Sequence, residues 1–152
     1  MKFIGEKLMG RLTGKCLCEK ISYQIEGKLG PVFNCHCLKC RRWHGAAFRT
    51  RASINRSQFK WLSGEHNLSE YQSSEMVTKY FCKNCGSALI SSYKNKPEVL
   101  GIPLGGLEGD LTIENQAHIF VDSKASWYEI CNDHEQFSGW PGTEEKVRET
   151  SE

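Results

Sequence analysis

The chain has no run of apolar residues approaching the ~18 needed to cross a bilayer, and its opening stretch "MKFIGEKLMGRLTG" is interrupted by Gly5, Glu6, Lys7 and Gly10. That interruption removes the continuous apolar core of a secretory signal, so the expectation is a cytoplasmic protein with no membrane partner. Helical periodicity is almost absent as well. Outside the highly charged "TEEKVRETSE", which reads as a frayed tail, no amphipathic run of period 3.6 outlasts a turn or two. There is no internal repeat and no low-complexity segment. Acidic residues are missing from one long window: none lies between Glu26 and Glu65, where Lys28, Lys39, Arg41, Arg42, Arg49, Arg51, Arg56 and Lys60 all fall. The formal net charge of +2 conceals this polarity, because the end of the chain is acidic, with Glu144, Glu145, Glu149 and Glu152 against Lys146 and Arg148.

What is present is a set of short alternating stretches punctuated by Gly and Ser. "ISYQIEG" is the clearest, followed by "SQFKWLSG", "VTKYF", "SALISSY", "AHIFVD" and "SWYEI". They predict a mainly β single domain with irregular loops. At 152 residues such a domain buries enough surface to fold without disulfides. The Gly-rich segment 98–110, "EVLGIPLGGLEGD", is a candidate functional loop or a turn between two strands. The expected division is an N-terminal extension over 1–11, the domain over 12–137 and an acidic tail over 138–152.

The chain is rich in cysteine. Eight are present, and in a cytosolic chain they point to metal binding before disulfides. Seven fall into three groups: Cys16 and Cys18 as CxC; Cys35, Cys37 and Cys40 as CxCxxC; Cys82 and Cys85 as CxxC followed by Gly86. In extended backbone the sulfurs of a CxC share a face, while a CxxC suits a tight turn whose following glycine takes a positive φ. A closed zinc site takes four ligands. Pairing the first group with the third supplies them, and leaves Cys35, Cys37 and Cys40 as a three-ligand site with an open position. The other partition, Cys16 and Cys18 with Cys37 and Cys40, strands Cys35, Cys82 and Cys85. Cys131 stands alone and reads as a buried apolar residue.

The succession "TGKCLCEKISYQI", "FNCHCLKCRR", "FCKNCGSAL" and "HIFVDSKASWYE" resembles the glutathione-dependent formaldehyde-activating enzyme family, which also includes centromere protein V. The resemblance runs from about Leu12 to Gln136. It departs from the family pattern at Leu17 and Glu19, beside the first cysteine pair. It implies an Mss4-like, zinc-containing β fold with two Zn²⁺ ions. The structural one is held by Cys16, Cys18, Cys82 and Cys85, and the catalytic one by Cys35, Cys37 and Cys40. It also implies that the block containing His118, Asp122, Lys124 and Trp127 lies near the active cleft.

Three thiolates leave a zinc site at net −1, too electron-rich to acidify bound water strongly. Stabilising a substrate thiol fits better than hydrolysis. The expected activity is that of a carbon–sulfur lyase handling adducts of a small thiol such as glutathione with an aldehyde such as formaldehyde. Arg41 and Arg42, directly after Cys40, are the expected carboxylate-binding residues. His36 and His44 are candidate general bases, although alternation turns His36 away from the ligands on either side. Trp43 walls the pocket or joins the core. Lys124 and Trp127 are pocket candidates on the resemblance. The alternative is a zinc-stabilised module that contacts nucleic acid or a protein partner through the basic, aromatic-bearing segment 39–60. Nucleic acid is not the expected partner.

Overall fold

The computed structural model describes residues 10–114 and 116–142; the extension before Gly10 and the tail from residue 143 lie outside the described residues. In chain order the strands are β1 (Arg11–Lys15), β2 (Ser22–Glu26), β3 (Val32–Cys35), β4 (Arg49–Asn55), β5 (Phe59–Ser63), β6 (Leu68–Ser74), β7 (Val77–Cys82), β8 (Ala88–Tyr93), β9 (Val99–Pro103), β10 (Leu107–Glu108), β11 (Gln116–Ile119) and β12 (Glu135–Gln136). One helix, α1 (Leu38–His44), sits between β3 and β4. The mostly β, single-domain architecture is the one expected.

Alternation does in β2 what period-2 patterning requires: Tyr23 and Ile25 are buried while Ser22, Gln24 and Glu26 are not. This strand pairs with β1 and β5 in a small antiparallel sheet ordered β10-β1-β2-β5. The larger sheet is ordered β12-β11-β3-β4-β9-β8-β7-β6. Its β3–β11 and β11–β12 pairs are parallel, and the others are antiparallel. Ile21, Tyr23 and Ile25 pack with Ile54, Leu89, Leu100 and Ile102 in the main core. Each such side chain contributes about 1.5–3 kcal/mol by leaving water. A second, smaller cluster joins Cys35 and Cys40 to Ala117, Ile119 and Phe137.

Of the two readings of segment 98–110, the turn between two strands holds: β9 and β10 are joined by a 3₁₀ turn over Leu104–Gly106. Three expectations are corrected. "SWYEI" forms no strand, because the Lys124 ammonium donates to the carbonyls of both Ala125 and Tyr128 and curls the chain there. "AHIFVD" is a strand only as far as Ile119; Phe120 adopts a left-handed conformation and a 3₁₀ turn follows. Cys131 is exposed, not buried. Strand β4 escapes periodicity analysis for a physical reason: its inward positions include Arg49 and Arg51, which read as solvent-facing charge.

Candidate active site

The first cysteine pair sits in the turn after β1, where the Ile21 amide donates to Cys16 Sγ at 3.3 Å. The last pair closes β7 and its turn, with Gly86 at φ 77° as the spacing required. The two turns are stitched together by Leu17 N–H donating to Ser87 Oγ at 2.8 Å and by Lys20 Nζ donating to Asn84 Oδ1 at 3.1 Å. The four sulfurs of Cys16, Cys18, Cys82 and Cys85 converge within 4.8 Å of one another. Cys16 and Cys18 are 3.6 Å apart, Cys18 and Cys82 3.8 Å. A tetrahedron with ~2.3 Å metal–sulfur bonds has edges of about 3.8 Å, so the cluster fits a four-thiolate ion. Burial raises the Cys16 thiol to about 11, whereas the hydrogen bond to Ser87 lowers Cys85 to about 5.

The middle group is built differently. Cys35 ends β3, Cys37 is the N-cap of α1 and Cys40 lies in its first turn. The Cys40 amide donates to Cys37 Sγ at 3.4 Å, so capping geometry folds the CxxC back on itself. All three sulfurs lie within 4.8 Å of one another, with no fourth ligand in the group. Hydrogen bonds to Cys35 and Cys40 hold the Cys37 thiol below its usual range, while hydrogen bonds to Cys37 and Cys40, together with burial, push the Cys35 thiol up. An incoming ion would displace the protons that the three thiols hold.

These cysteines line a cleft of about 460 Å³. Arg49 and Arg51 from β4 and Lys79 from β7 line it too, and all three are buried at 5%, 4% and 4% exposure. Arg49 Nη2 donates to the Gly101 carbonyl at 3.2 Å and Arg51 Nη2 to Ser53 Oγ at 2.9 Å. Their Nε atoms, and Lys79 Nζ, have no hydrogen-bond partner among the described residues. The Arg51 guanidinium lies 5.4 Å from both the Tyr93 and the Trp140 ring centroids. Space for it depends on Gly101, where a Cβ would stand 2.4 Å from Tyr93 Oη and 2.9 Å from Arg51 Nε. Desolvation lowers the pKa of Arg51 and of Lys79.

Arg41 and Arg42 do not line the cleft. Arg41 Nη1 donates instead to the Ser123 carbonyl at 2.9 Å, tying α1 to the turn after β11. His36 is fully buried and its Nε2 lies 2.7 Å from Nδ1 of His118, whose Nε2 in turn contacts Asn132 Oδ1 at 3.2 Å. Burial lowers His36 and His44 to about 4 each, and neither lines the cleft. Trp43 stacks on Tyr71 and lies under the Lys79 ammonium, 5.2 Å from it. Lys124 is engaged by its own loop, and Trp127 is 71% exposed. Asp122 is exposed as well. Arg49, Arg51, Lys79, Tyr93 and Trp140 were not anticipated. Only the first two carried a signal, as charges inside the acid-free window.

The glutathione-dependent formaldehyde-activating enzyme family matches residues 11–123, most of the chain and all three cysteine groups. The chain belongs to this family. Among its relatives is an uncharacterized lyase of Schizosaccharomyces pombe, 28% identical over 130 residues that cover 86% of this chain and 93% of that one. Another is a Podospora anserina protein provisionally named as a glutathione-dependent formaldehyde-activating enzyme. It is 26% identical over 92 residues, 59% of this chain and 43% of that one. A crystal structure of a Rhodobacter sphaeroides protein superposes with a TM-score of 0.56 at 25% identity, over 68% of this chain and 97% of that one. Among the described residues of this family member, no helix is long and apolar enough to cross a membrane.

Proposed function

We propose that this family member is a carbon–sulfur lyase that makes and breaks adducts of a small thiol, glutathione or a close relative, with an aldehyde such as formaldehyde. The observation that carries the reading is the contrast between the two sulfur clusters. The four-cysteine cluster is closed between two turns, whereas Cys35, Cys37 and Cys40 open into a cleft lined by buried cations that have no buried carboxylate among the described residues. Zinc held by Cys35, Cys37 and Cys40 would supply a soft Lewis acid for a substrate sulfur; Cys16, Cys18, Cys82 and Cys85 would hold a structural zinc. In the reaction the carbon–sulfur bond of the adduct breaks with its electron pair returning to sulfur. The hydroxyl of the adduct becomes the aldehyde carbonyl as its proton passes to solvent, so that the adduct yields thiolate, aldehyde and one proton. The protein's own part is to seat the thiol with its sulfur toward the three cysteines, and to balance its negative charge with Arg49, Arg51 and Lys79. Eight free cysteines suit a reducing, cytoplasmic setting. The catalytic unit in this reading extends past Phe137 to include Trp140.

The nucleic-acid reading is less favoured because the basic window presents no continuous face: Arg49 and Arg51 are buried while Arg42, Arg56 and Lys60 are exposed. Exchange NMR of formaldehyde with glutathione tests the proposal. Zinc-loaded protein should accelerate exchange between free and adduct signals, and Cys37→Ser should abolish the acceleration. No acceleration by fully loaded protein with this or any other small thiol and aldehyde would refute it.

A further inference from the structure

The cleft joins two environments that a formaldehyde adduct of a simple thiol would not need together. Its floor holds Arg49, Arg51 and Lys79, and no Asp or Glu is buried among the described residues to balance them. A buried cation without an anion costs several kcal/mol, so the fold retains three such groups at a cost. The three cysteine thiolates offset them only in part once a divalent ion binds, because that ion cancels two of the three negative charges. The floor is then left with a surplus of two positive charges. The mouth is the opposite: Leu38 and Trp140, 45% and 40% exposed, flank the opening. Phe120 lines the same cleft, edge-on to Trp140 with centroids 6.0 Å apart. Large apolar side chains exposed at the rim of a cleft mark a surface that is covered when the site is filled.

Resting on the thiol-adduct reading above, we infer that the ligand of this cleft is two-ended: a thiol whose carboxylate is taken by Arg49, Arg51 and Lys79, bonded through sulfur to an aldehyde carbon bearing an apolar alkyl or aryl group that lies against Leu38, Phe120 and Trp140. The floor selects the thiol. The mouth selects the aldehyde, and it favours one larger than formaldehyde. The two selections are separable at Lys79 on β7 and Leu38 on α1, whereas Trp140, 5.4 Å from the Arg51 guanidinium, touches both. Arg49, Arg51 and Lys79 all line the cleft, so their cationic side chains are the groups a carboxylate would pair with there. Aligning a carboxylate there also leaves the sulfur end of a short thiol within reach of Cys35 and Cys40, which line the same floor.

Titration calorimetry on the zinc-loaded full chain tests both ends without any variant. At the floor, 3-mercaptopropionate should bind about tenfold or more tightly than 3-mercapto-1-propanol, which has the same length and no charge. At the mouth, S-hexylglutathione should bind about tenfold more tightly than S-methylglutathione. Lys79→Met should shrink the first ratio and leave the second, and Leu38→Ala should do the reverse. Equal affinities within either pair, with formaldehyde–glutathione exchange still catalysed, overturn this inference alone. If neither thiol nor either thioether binds the loaded protein, both the inference and the proposed function fail.

Discussion

Replacing Cys82 with serine probes the clamp that joins the small sheet to the large one. Cys82 is 0% exposed and its sulfur lies 3.8 Å from that of Cys18, across 64 residues of chain. Structural zinc carries on the order of 10–16 kcal/mol of apparent folding free energy. Shared evenly over four sulfurs, that is about 3 kcal/mol per ligand. If Cys82→Ser keeps a weakened ion on the remaining three, the loss is about this much, with a further penalty of about 1–3 kcal/mol for a serine hydroxyl buried without a partner. If the ion leaves, the full amount is lost. It is comparable with the ~5–15 kcal/mol that stabilises an ordinary domain, so the fold should not survive. The assay is zinc content by mass spectrometry together with guanidinium unfolding followed by circular dichroism. Cys131→Ser serves as the control: that thiol is exposed, and it donates to the Glu129 carbonyl at 3.7 Å. The expected outcome is insoluble protein, or soluble protein with one zinc fewer and a collapsed transition, while Cys131→Ser behaves as wild type. A soluble Cys82→Ser protein that unfolds cooperatively with undiminished zinc would refute the reasoning.

The three-ligand site should be more labile than the four-ligand one, so a mild chelator should remove one metal while the circular dichroism spectrum persists; simultaneous loss of both metals with unfolding would contradict this. Gly14→Ala should lower stability by about 1–3 kcal/mol or more, because a Cβ there would stand 2.1 Å from Cζ of Tyr23, which is 1% exposed and stacked on Phe59. An unchanged denaturation midpoint would show that the ring can move freely. Burial raises the Tyr23 phenol from 10 to about 12, so the unfolded chain ionises first and stability falls as pH rises from 10 to 12. Relative to Tyr23→Phe, the wild type should lose about 3 kcal/mol across that window; parallel pH profiles of the two proteins would exclude the effect.

Local spacing was enough to group the ligands. A CxC in extended backbone and a CxxC in a turn bring their own sulfurs together whatever the rest of the chain does, because side-chain direction follows from φ and ψ over a few residues. Alternation in "ISYQIEG" likewise announced β2, since burial on one face of a strand leaves a period of two. Other features depended on the whole fold. Arg41 and Arg42 adjoin Cys40 in sequence, but α1 turns about 100° per residue, and so carries them off the face that bears the ligand. The residues that do line the floor and wall come from β4, β7 and β8, and from Trp140 beyond β12. Arg49, Arg51 and Lys79 are ordinary surface residues by composition; only sheet order and register turn them inward beside the sulfurs. Hydrophobic pattern records which residues are buried by default. A buried cation breaks that default, and its place becomes legible only when the tertiary structure supplies the cleft it faces.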